Sequence, residues 1–204
     1  MINRISTAIA AMVAVFTMAA MGSVPIEAEA ASHEVTTHDA ALAALPAGDR
    51  NDPSYRLAVE KRVETYVTNK NGIVQFDLRL AQHNGENPDV IEVGKYVNAF
   101  AASDSSIKNK SWDEFVSAGS GMFSGYNYCG YGNLGGEPTN TLDRGCQLHD
   151  QCYDTRGWGK CSCDSEFIAF INNNSKSMGW TEWAQAKGAA AYFASKASLG
   201  KCEK

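Results

Sequence analysis

His149 and Asp150 stand side by side in a segment whose spacing is helical. Read as a helix, Leu142, Cys146, His149, Asp150 and Tyr153 share one face, and Arg144, Gln147, Gln151 and Asp154 share the opposite, polar one. An inward face that carries an imidazole and a carboxylate is costly to bury, because each needs a partner or a metal. Just upstream lies YCGYGNLGG (residues 128–136), a loop able to turn sharply and expose its carbonyls. Such a loop beside a carboxylate suits a hard, oxygen-seeking cation such as calcium. Taken singly, each feature has a plainer explanation: a satisfied core histidine, or a glycine-rich surface turn.

The run YCGYGNLGG, followed by DRGCQLHDQCYD and then by CSCD at 161–164, resembles the secreted, calcium-dependent phospholipase A2 family. The resemblance covers roughly the last half of the chain and rests on all three motifs in order. It implies a mainly α, disulfide-linked fold: a core of two antiparallel helices with a glycine-rich calcium loop, here preceded by an N-terminal extension of uncertain structure. It implies His149 as the base that activates water, Asp164 as the carboxylate that orients it, and Tyr153 as a hydrogen-bond donor to that aspartate. Calcium ligands would be the backbone carbonyls of Tyr128, Gly130 and Gly132 with the Asp150 carboxylate, and the Gly130 N–H would assist the oxyanion. The implied reaction is hydrolysis of the sn-2 ester of glycerophospholipids, releasing a fatty acid and a lysophospholipid at a membrane or micelle interface. A non-catalytic toxin or receptor ligand on the same scaffold is the alternative; it would be expected to have lost His149, Asp150 or Asp164, and all three are intact.

The chemistry is independently coherent. An ester hydrolase without a serine nucleophile needs an activated water and a means of holding the oxyanion. Histidine is the natural base near neutrality, provided a carboxylate fixes its tautomer and orientation. For Asp164 alone, a first-turn carboxylate at a helix N-terminus is the competing explanation, and for Tyr153, a plain core tyrosine.

All six cysteines lie between positions 129 and 202. An even, clustered set in an exported chain reads as a disulfide framework, though six cysteines allow fifteen pairings. The resemblance implies Cys129–Cys146, Cys152–Cys163 and, by remainder, Cys161–Cys202. A zinc site built from these cysteines and His149 is the rival reading, disfavoured by export. Export is expected because residues 5–21 form an apolar run after Arg4, and small residues at 28 and 30 suit cleavage after Ala30. An uncleaved anchor is the alternative. The formal charge of −5 excludes a broad basic face for nucleic acid and argues against strong recruitment to anionic membranes.

Three regions are therefore expected: residues 1–30 as a signal peptide, 31–105 as an N-terminal extension or pro-region, and 106–204 as the catalytic domain. Within the extension, 54–68 suits a helix, yet 63–67 and 73–80 also flank Asn71-Gly72 as a hairpin would. Residues 88–102 carry apolar positions at helical spacing. Lys61-Arg62 is either a processing site or part of a solvated helix face. A capping pattern at Ser111–Glu114 opens a short helix through Ala118. Further helices are expected over 142–154, 161–176 and 181–199.

Departures from the family pattern are informative. The glycine loop is one residue longer than in vertebrate or venom forms. Gly145 and Phe170 stand where those forms pair two cysteines. The link between Cys152 and Cys163 is too short for the usual hairpin, which would remove a second tyrosine partner from the aspartate. For a lipid interface, Trp112, Phe115, Met122 and Phe123 are candidates for the channel mouth, and Trp158, Trp180 and Trp183 for bilayer anchors.

Overall fold

The computed structural model describes residues 43–70, 72–109, 124–130 and 134–203, with the side chains of 104–109 left aside. The expected signal peptide, Gly132, the capping pattern at 111–114 and the channel-mouth candidates Trp112, Phe115, Met122 and Phe123 lie outside the described residues.

The fold is mainly helical: α1 (Pro53–Tyr66), β1 (Val67–Lys70), β2 (Ile73–Phe76), α2 (Leu78–His83), α3 (Pro88–Asn109), α4 (Thr141–Arg156), α5 (Cys161–Asn174), a 3-10 turn (Ser175–Ser177) and α6 (Trp180–Ser198). Both readings of 54–80 are realised, in series. Pro53 occupies the first turn of α1 with Asp52 as cap, its side chain accepting the Ser54 N–H. The helix then gives way to an antiparallel hairpin pairing Val67 with Phe76 and Lys70 with Ile73. Asn98 of α3 clamps the second strand, accepting the Phe76 N–H at 2.7 Å and donating to its carbonyl at 3.1 Å.

One hydrophobic core draws on both halves of the chain. Val59 and Val63 of α1, Val90, Val93 and Val97 of α3, Leu142 of α4, Phe167 and Ile171 of α5, and Trp183, Ala186 and Ala189 of α6 are all buried in it. Each large apolar side chain so buried contributes on the order of 1.5–3 kcal/mol. Helices α3 and α6 approach closely where Gly188 leaves room: a Cβ there would lie 2.5 Å from the Tyr96 Cβ. Lys187, buried on α6, donates to Glu60 of α1 at 3.0 Å and to Asn172 of α5 at 2.7 Å, so three helices meet at one ammonium.

Two surface expectations are corrected. Arg62 is not a solvated position: it pairs with the fully buried side chain of Glu86, which also accepts the Leu45 and Asn87 N–H groups and the Tyr66 hydroxyl. Trp183 is 2% exposed and stacks on Trp180 at 5.0 Å. Trp180 in turn donates to Glu92 and lies under the Arg50 guanidinium. Trp183 thus belongs to the core and is not placed to enter a bilayer, while the partly buried Trp180 packs along the α3–α6 seam. Among the described residues no helix is long and apolar enough to cross a membrane.

Candidate active site

The two site helices lie antiparallel, as their pairings show. Cys152 bonds Cys163, His149 reaches Asp164, and Gly145 faces Phe170, so position rises along α4 as it falls along α5. All three disulfides have the implied pairing: Cys129–Cys146, Cys152–Cys163 and Cys161–Cys202. No cysteine is free. Where the resemblance would place a further bridge, a Cβ on Gly145 would lie 2.9 Å from the Phe170 ring. The aromatic ring fills the volume that a second bridge would take and needs the glycine to do it.

His149 is 8% exposed, its ring packed between Phe167 at 5.0 Å and Phe193 at 4.8 Å. Its Nε2 lies 3.0 Å from Asp164 Oδ1, and the Tyr153 hydroxyl donates to the same oxygen. Asp164 is wholly buried, and its Oδ2 has no partner among the described residues. The pair leaves Nδ1 as the histidine nitrogen available to take a proton.

His149, Asp150, Tyr153, Tyr128, Gly130 and Cys146 line one pocket, closed on other sides by Phe100 and Ser103 of α3, Phe167, Phe193 and Trp158. The sequence-predicted residues Tyr128, Gly130, His149, Asp150 and Tyr153 thus meet at one cavity, with Asp164 behind the histidine. Gly130 has φ 105°, a conformation glycine adopts readily and other residues rarely. Among the described residues no three His, Cys, Asp or Glu side chains are grouped so as to hold a metal ion, so a cation here would depend on one carboxylate and backbone oxygens. The Asp150 carboxyl is pushed up to about 7, first by burial and then by the charges of Asp154 and Asp143. A partly buried acid whose carboxyl is raised by burial and by two further acids is chemically suited to a divalent ion.

Sequence reasoning missed Asp143. It is fully buried and accepts the backbone N–H groups of Tyr128 at 2.8 Å, Cys129 at 3.1 Å, Asn127 at 3.0 Å and Thr139 at 2.9 Å. Burial would raise its pKa, but the donors from Thr139, Asn127, Tyr128 and Cys129 prevail and hold it below the usual carboxylate range. Asp143 therefore fixes the start of the glycine loop to the first turn of α4. The available signal was its spacing: Asp143, Cys146, Asp150 and Tyr153 fall at i, i+3, i+7 and i+10, on the inward side.

Comparison with curated proteins agrees with the motif. The chain is 56% identical over 59 residues to the basic phospholipase A2 nigroxin A of Micrurus nigrocinctus, covering 24% of this chain and 49% of that protein. It is 48% identical over 40 residues to phospholipase A2 SSD387 of Scolopendra dehaani, 19% of this chain and 26% of that one. With phospholipase A2-beta of Arabidopsis thaliana it shares 37% identity over 54 residues, 25% and 37% of the two chains. The chain spans about half the length, or less, of these curated relatives. No family model matches it, and no solved structure matches it significantly. The matched stretch is similar in sequence to these phospholipases A2.

Proposed function

We propose that the protein is an exported, calcium-dependent phospholipase A2 that hydrolyses the sn-2 ester of glycerophospholipids. The observation that carries this is the His149 Nε2–Asp164 Oδ1 contact at 3.0 Å, set in a pocket that also holds Asp150 and Gly130. With Nε2 held by Asp164, Nδ1 of His149 takes a proton from water as that water attacks the ester carbonyl. The buried Asp164 carboxylate stabilises the imidazolium that results, and Tyr153 holds the carboxylate in place. His149 then returns the proton to the leaving lysophospholipid oxygen. The Gly130 N–H donates to the developing oxyanion. Asp150 and the carbonyls of Tyr128, Gly130 and Gly132 would hold calcium, which when bound polarises the ester carbonyl and stabilises the oxyanion. Phe100, Phe167 and Phe193 offer apolar walls for an acyl chain.

Residues 31–105 belong to the working enzyme in this reading, rather than to a discarded pro-region. What supports it is that α3 supplies Phe100 and Ser103 to the pocket, and that α1 and α3 share the core with α4, α5 and α6. Regiochemistry tests the assignment. A phosphatidylcholine with an ether at sn-1 and an ester at sn-2 should be cleaved, and the reverse isomer should not. Cleavage of the reverse isomer alone would refute it.

A further inference from the structure

Only residues 157–160 separate α4 from α5, and this turn replaces the longer connection of the resemblance. It is built on Gly157 at φ 105° and Gly159 at φ 77°, with Trp158 between them. The indole is 51% exposed, yet it lines the same pocket as His149, Asp150 and Gly130. Its ring centroid lies 4.9 Å from that of Tyr153, the donor to Asp164.

So short a turn with two left-handed glycines has little rigidity of its own, and a second segment supplies it. Glu203 donates its N–H to the Gly159 carbonyl at 2.7 Å and accepts the Cys161 N–H at 2.8 Å. The Cys161–Cys202 disulfide joins the same two segments, and Lys160 pairs with Glu203 at 3.8 Å. Hydrogen bonds, a bridge and an ion pair thus converge on the residues flanking one half-exposed indole.

We propose that Trp158 is a substrate-contacting residue forming the outer wall of the pocket, and that residues 202–203, bonded to the turn, position it there. The inference rests on the phospholipase reading for the identity of the ligand: a phospholipid whose apolar portion nearest the ester lies against the indole. Tyr153 backs the ring from inside, so the exposed face is the one left for lipid. An indole in this position gains contact area only when a ligand arrives, which favours binding over the chemical step.

The test uses the full oxidised chain with calcium and monodisperse dihexanoyl phosphatidylcholine, so that vesicle adsorption plays no part. Trp158→Ala should raise KM on the order of tenfold while leaving kcat within about threefold, and Trp158→Phe should recover part of the loss. Removing the bridge with Cys161→Ser and Cys202→Ser should shrink the effect of Trp158→Ala, because an unpositioned indole has less to lose. An unchanged KM in Trp158→Ala, or a fall confined to kcat, would overturn the proposal and leave Trp158 a prop for Tyr153. Tryptophan emission on adding a non-hydrolysable diether phosphatidylcholine separates the two readings. A blue shift that Trp158→Phe abolishes supports the contact even if wild type releases no fatty acid, in which case the phospholipase assignment alone fails. No shift in wild type overturns the contact.

Discussion

The Asp143 carboxylate accepts the backbone N–H of Tyr128 at 2.8 Å, at the head of the glycine loop. With its bonds to Cys129, Asn127 and Thr139, this one side chain sets where the Tyr128 and Gly130 carbonyls can lie. Asp143→Asn replaces an acceptor-only group by one whose amide faces backbone donors. The expected cost is about 3 kcal/mol of stability, with weaker calcium binding. Urea unfolding and calcium titration of the variant measure both, and wild-type values in both would remove Asp143 from the account.

Acid stability follows from the same residue. Asp143, Glu86 and Asp89 all have pKa values held below the ordinary range: burial opposes this, but hydrogen-bond donors outweigh it. Their contribution is fully present above the unfolded carboxylate pKa of about 4 and is lost as pH falls through their lower folded values. Asp150 works in the opposite sense. Its carboxyl, raised to about 7 by burial and by Asp154 and Asp143, makes the calcium-free fold lose stability as pH rises from about 4 to 7. Calcium favours the ionised form, so it should raise Tm more at pH 8 than at pH 5. Scanning calorimetry with calcium and with chelator checks this, and an equal rise at both pH values would contradict it.

Residues 106–204 alone should not fold. They would lack Val59, Val63, Val90, Val93 and Val97, each essentially inaccessible to solvent, and would expose the α6 face that α3 covers. Loss of near-ultraviolet circular dichroism in the oxidised fragment is the expected result. A cooperative, active fragment would show that the two halves are independent.

Gly145→Ala should cost about 1–3 kcal/mol, because the new methyl meets the Phe170 ring. Phe170→Leu should recover part of that loss in the double variant. Additive losses in thermal unfolding would mean that the two positions do not share the space.

Much of the C-terminal half was legible because its signals are local. The helical face around His149, the start of α5 at Cys161 and the end of α6 before Gly200 follow from spacing and glycine placement. The motif resemblance supplied the disulfide pairing that cysteine arithmetic left open. What stayed hidden were long-range pairings. Periodicity marked Val93 and Val97 as one face but could not name α6 as its partner. Trp183 read as an interfacial anchor because an indole's burial depends on neighbours nearly ninety residues away, such as Glu92 beneath its stacking partner. Asp143 escaped notice because most of its partners are backbone N–H groups, so beyond its inward spacing nothing in the sequence pointed to them. Residues 63–80 looked ambiguous because helix and hairpin signals abut there, and the chain uses both.

The most direct test of the account is fatty-acid release from sn-2-labelled phosphatidylcholine vesicles by the oxidised protein, with calcium, with chelator, and with His149→Gln. Release should require calcium and fall by at least about a thousandfold in the variant. Release that survives either the chelator or the substitution, or none at all from calcium-loaded wild type, would contradict the proposed chemistry.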